Sequence, residues 1–330
     1  MCSDLPVEIR DLGLWDGSAA LLVDGGPPPP QRPAVHLQTA SPGLLRLVGA
    51  GGPLLWGLVE SGWWSVDIVR AATANHTLAP IRVDEAESAP GDAGSCEHTS
   101  WWTRRFATLL CASPSTPLAP GRQCVLASMS SIASAPSSGS VVDWHRHRWE
   151  RIVLGPKNLD ALREQRECFE LDWDHDYLGL LLTRPLSEDD DGRVKSWRKR
   201  ARERRLPPIL VWWCRGVYSH VVLDGHDRLL AALLEGTSPD MIVLADVTAH
   251  AASDVDARRE RALHDAGHLT KISSVANRAD ATNSILRAAW DPRAEWDLAT
   301  PGFALDVAQW RDEVRDTRLS LLAAERAAQR

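Results

Sequence analysis

The chain has 330 residues, 44% of them hydrophobic and 25% charged, with a formal net charge of −7. That length suffices for one large or two ordinary domains with a buried core, and the acid excess excludes indiscriminate attachment to nucleic acid or anionic membranes, so any such binding must come from a local patch. No apolar run approaches the roughly 18–20 residues of a membrane span, and Cys2, Cys96, Cys111, Cys124, Cys168 and Cys214 form no C-x-x-C pair and follow no secretory leader, so they are expected as reduced, mostly buried thiols of a soluble, cytoplasmic protein.

Residues 1–140 hold short apolar or alternating runs at 19–23, 44–48, 63–69, 81–83 and 105–110, separated by Gly, Pro, Ser and Asp clusters. This texture predicts a mainly β domain with long loops. Pro27 to Pro30 reads as a surface loop of polyproline II character, and the Ser/Ala/Pro-rich stretch 128–140 as a flexible linker that closes this domain. The 15 tryptophans, against 2 Tyr and 3 Phe, are expected mainly as large core residues. Adjacent pairs at Trp63-Trp64 and Trp101-Trp102 would mark a protein-binding surface only if exposed.

A second domain is expected over 141–250. The H-x-H of His145 and His147 and the acidic run 172–176 have the residue types of metal sites without a confirming partner spacing. Residues 158–169 read as a helix and 177–183 as a strand. From 187 to 205 the chain reads as a second helix, opened by a capping box of Ser187 and Asp190, with Val194, Trp197 and Ala201 forming one narrow apolar face. The opposite face carries Arg193, Lys195, Arg198, Lys199 and Arg202, the local patch with the strongest claim to nucleic-acid contact. Asp190 and Asp191 have hard oxygens suited to Mg²⁺, though such a run is also an ordinary solvated helix start.

The most informative stretch follows. Residues 206–212, with Pro207-Pro208 leading an apolar run, predict a strand; Arg215-Gly216 a turn; 221–223 a second strand; and 229–235 a Leu/Ala-rich helix ending at Gly236. Between strand and helix stands the polar turn Asp224, Gly225, His226, Asp227, Arg228. A helix start offers unpaired N–H groups, Gly permits close approach, and Arg pairs with oxyanions, which together suit a phosphate. The plainer alternative is a structural turn in which Asp224 caps the helix and Arg228 makes an ion pair. A further strand is expected over 241–247, and 251–330 reads as a helical extension.

The order of these elements, with the Pro-Pro-Ile-Leu-Val strand at 207–211 and the Asp-Gly-His-Asp-Arg turn, resembles the ParB/sulfiredoxin-like domain over about residues 178–248. The resemblance implies an α+β domain here, so the chain as a whole is expected as α+β: the β-rich N-terminal domain, this domain and the helical extension. It also implies that Asp224, Gly225, His226 and Arg228 bind a small phosphorylated ligand or a nucleotide (ATP, ADP or CTP) with Mg²⁺. His226 and Asp227 would be catalytic in a small-molecule kinase or nucleotide hydrolase. His226 stands where sulfiredoxins carry a reactive Cys, so their sulfinic-acid repair is not expected. Asp227 stands where partitioning proteins carry a basic residue. On this reading Arg228→Ala weakens ligand binding and leaves the fold intact. The rival reading is a DNA-associated or scaffold protein that uses the basic helix, with a vestigial pocket.

Overall fold

The computed structural model describes residues 8–12, 20–25, 32–60, 65–72, 78–119, 122–129, 154–172, 179–249, 251–272, 296–299 and 302–328, with scattered positions from 279 to 290. Pro27 to Pro30, Trp63-Trp64, the expected linker beyond 129, the H-x-H at 145–147 and the acidic run beyond 172 lie outside the described residues.

In chain order come β1 (Glu8–Asp11), β2 (Ala20–Asp24), β3 (His36–Ala40), β4 (Leu44–Gly49), β5 (Gly52–Val59), β6 (Ser65–Arg70), α1 (Val83–Ser88), α2 (Cys96–Ala112) and β7 (Gln123–Ser128). There follow α3 (Leu159–Glu164), β8 (Cys168–Asp172), β9 (Leu180–Leu182), α4 (Gly192–Arg202), β10 (Ile209–Cys214), β11 (Ser219–Asp224), α5 (His226–Leu234) and β12 (Met241–Ala249). The last are α6 (Ala252–Ile272), β13 (Trp296–Ala299), β14 (Gly302–Ala304), α7 (Val307–Glu313) and α8 (Arg318–Ala328).

The described strands form two mixed sheets, as an α+β fold requires. The larger has the order β1-β2-β7-β12-β10-β11-β9, with β13 beside the far end of β12; the smaller has β14-β3-β4-β5-β6-β8. Both sheets cross the expected segment boundaries at 140 and 250. From the first segment, β1, β2 and β7 join the same sheet as β9 to β12, while β8 pairs with β6 and β14 pairs with β3. This sharing was not visible in the sequence because the pairing partners lie far apart along the chain, and the expected helical extension contributes strands as well.

The larger sheet is covered on both faces, which is why β10 is buried at every position. One face, with Leu210, Trp212, Val221, Ile242 and Leu244, packs in one core with the inner side of the smaller sheet, α2 and the α4–α5 pair. The other, with Val211, Trp213, Val222 and Val243, forms a second core with Leu162 of α3 and Leu229 and Leu233 of α5. The outer side of the smaller sheet lies under α7 and α8 around the fully buried Trp310.

The runs at 81–83 and 105–110 are not strands. Residues 105–110 belong to α2, where Trp102, Thr103, Phe106, Ala107 and Leu110 recur with helical spacing and are all buried, and Ser95 caps the start by accepting from His98 N. A six-residue window is too short to separate the two periods. The 158–169 helix is also cut short: α3 ends at Glu164, and Cys168 begins a strand. Trp102, Trp197, Trp212, Trp213 and Trp310 are buried, as core use of tryptophan predicts, and Trp101-Trp102 offers no exposed pair. Cys124 and Cys214 are buried, but Cys96 and Cys168 are exposed, so among the described residues the thiols are not mostly buried. No described helix is long and apolar enough to cross a membrane.

Candidate functional site

The site begins with parallel pairing between β9 and β11, in register Leu180↔His220, Leu181↔Val221 and Leu182↔Val222. Both strands therefore end at one edge of the larger sheet, and the chain leaving β9 at Thr183 and Arg184 lies beside the turn leaving β11 at Asp224 and Gly225. The β9 edge is fixed from outside by Gln165, whose side chain donates to Leu180 O at 2.8 Å and accepts from Leu182 N at 3.0 Å, as a neighbouring strand would. Arg70, buried on β6, donates to the carbonyls of Gln165, Arg166 and Leu182. Burial pushes its pKa down to about 10.

Gly225 stands at φ +103°, a conformation that side chains rarely adopt, and it turns the chain sharply from β11 into α5. It provides no side-chain cap for the helix. The helix is anchored by Leu229, Leu230 and Leu233, each essentially inaccessible; burying them contributes roughly 2 kcal/mol per side chain. Helix α4 packs alongside through Val194, Trp197 and Ala201, its expected apolar face. Its N-cap is Asp191, which accepts from Arg193 N at 2.7 Å and Val194 N at 3.3 Å, in place of the expected Ser187 box.

A small cleft opens over this turn, lined by Thr183, Arg184, Arg193, Trp197, Asp224 and the residues Gly225 to Arg228, with an interior of about 30 Å³. Arg228 is 3% exposed. Its guanidinium lies 5.9 Å from the Trp197 ring centre, bonds Asp224 Oδ2 at 2.6 Å, and fills the space where a Cβ on Gly225 would stand. Its Nε is buried and has no hydrogen-bond partner. Asp227 accepts from Arg184 Nη2 and Ser187 Oγ, both at 2.7 Å, and Arg193 Nε lies 3.7 Å from its other oxygen. Burial alone would raise the Asp227 pKa, but the hydrogen bonds from Arg184 and Ser187 and the charges of Arg184 and Arg193 outweigh it, so the carboxyl is held below its ordinary range. His226 is buried, and its Nε2 accepts from Thr183 N at 3.2 Å and, more weakly, Arg184 N at 3.4 Å. That lone pair joins the two strand ends, so the ring acts as a positioning group.

Comparison with family models, curated proteins and solved structures returned no match.

The structure thus brings together Asp224, Gly225, His226, Asp227 and Arg228, as the sequence suggests, and adds Arg184, Ser187, Arg193 and Trp197. Arg184 carries no motif and Ser187 was expected only as a helix cap; the β9–β11 register places them here. Asp191 is spent on its cap and Asp190 is exposed, and among the described residues no group of three or more His, Cys, Asp or Glu side chains is placed to hold a metal ion. The basic face of α4 is partly offset by acids of the same fold. Arg198 and Arg202 both reach Glu235, at 2.6 and 2.7 Å, Arg200 pairs with Glu87 and Glu203, and Lys199 lies 3.8 Å from Glu203.

Proposed function

We propose that this chain binds a small phosphate-bearing ligand at the cleft over Gly225, gripping the phosphate group between Arg184, Arg193 and Arg228 at the N-terminus of α5. The observation that carries this reading is Arg228: a buried guanidinium with an unpartnered Nε, packed over a glycine turn that opens a helix. A cation and the positive end of a helix dipole favour the same charge. The resemblance to ParB/sulfiredoxin-like domains points to the same turn.

The enclosed interior is small, about 30 Å³. On this reading the cleft takes only an oxyanion head, and the remainder of the ligand, including the base of ATP, ADP or CTP, lies outside. Any Mg²⁺ would travel on the ligand's own phosphates. The reading is of binding rather than turnover, because His226 Nε2 is committed to a bond within the fold.

Calorimetric titration of the wild type with inorganic phosphate, ATP, ADP and CTP, with and without Mg²⁺, tests it. Arg193 is 47% exposed and its loss is tolerable, so Arg193→Gln should weaken binding about tenfold with an unchanged melting temperature. Absence of binding by every one of these anions contradicts the proposal.

A further inference from the structure

Resting on that reading of the cleft, we propose that Asp227 determines which anions the site accepts: its carboxylate already occupies the donors Arg184, Ser187 and Arg193, so an incoming oxyanion binds by displacing it, which a phosphate dianion achieves and a monocarboxylate does not.

The geometry is that of a bound ligand. One oxygen of Asp227 takes both Arg184 Nη2 and Ser187 Oγ at 2.7 Å, and the other faces Arg193 Nε at 3.7 Å. The carboxylate is 9% exposed, held between the segment leaving β9, the first turn of α4 and the helix that carries it. The remaining charges at the cleft, Asp224 and Arg228, pair with each other. An external carboxylate would therefore offer these donors the same charge and shape as Asp227 while losing translational freedom that a tethered group does not lose. A phosphate monoester brings a further negative charge and three acceptor oxygens, enough to engage Arg184, Arg193 and the first-turn amides of α5 together. Asp227 thus acts as a built-in competitor that raises the threshold for entry.

The test compares wild type, Asp227→Asn and Asp227→Ser by calorimetric titration with inorganic phosphate and with acetate at low ionic strength. Asn is isosteric and Ser is at home near a helix start, so either folded variant decides the matter. Wild type should bind phosphate and not acetate; the variants should bind phosphate about tenfold more tightly and acquire acetate binding. Acetate displacing phosphate from the wild type at equal concentration overturns the inference without needing any variant. Wild-type phosphate binding with no gain in the variants overturns the competition alone and leaves the cleft reading intact, whereas loss of binding in all three proteins overturns both.

Discussion

The guanidinium of Arg228 reaches back one helical turn to the carboxylate of Asp224 at 2.6 Å, and in doing so lies where a side chain on Gly225 would be. Ion pair and glycine are thus one device, in which the turn is sharp because nothing projects from residue 225 and the cation is held there because the turn leaves room for it.

Gly225→Ala should therefore cost stability twice. The backbone at φ +103° is strained for any side chain, and the new Cβ would stand 2.8 Å from Arg228 Nη2. Urea unfolding should show a loss of about 1–3 kcal/mol.

Arg228→Ala is not the harmless probe that the sequence suggests. It strips a partly buried Asp224 of its partner and removes the group packed on Trp197. A loss of about 2–4 kcal/mol is expected, with Arg228→Lys recovering part of it, both read from denaturant midpoints.

Much of this neighbourhood was legible in the sequence. The strand, turn and helix around 209–236 announce themselves because β10 is apolar throughout, β11 carries the apolar run 221–223, Gly225 and Gly236 punctuate α5, and Val194, Trp197 and Ala201 repeat at helical spacing. Arg184 and Ser187 did not, because their place depends on the register of β9 against β11 forty residues away. The ion pairs that partly offset the basic face of α4 were hidden for the same reason, since Glu87 and Glu235 are distant in sequence. The sharing of sheets across 140 and 250 likewise rests on long-range pairing that composition does not encode.

His226→Ala should unfold more readily than His226→Gln. The imidazole accepts the buried Thr183 N–H, and removing it leaves that donor unsatisfied. The cost is about 1–3 kcal/mol, measurable as a lower melting temperature that glutamine, with an acceptor of its own, partly restores.

Mild acid should destabilise the fold through one buried histidine. His98, on α2, is buried and accepts from Trp102 Nε1 at 3.1 Å; burial lowers its pKa to about 4, with Asp92 opposing and Arg205 reinforcing the shift. The folded state thus holds the ring neutral, so its contribution is complete above about pH 6.5 and is lost as pH falls toward 4. The loss amounts to roughly 3 kcal/mol, and His98→Gln, which keeps an acceptor for Trp102, should flatten the pH dependence of the unfolding midpoint over that interval.

The most direct test of the cleft itself is to follow backbone amide resonances while inorganic phosphate is added to the wild-type protein. Saturable shifts concentrated at Gly225 to Arg228 and at Arg184 and Arg193 are expected. Shifts that never saturate, or that fall on other surfaces and leave the Gly225 turn unmoved, would contradict the account.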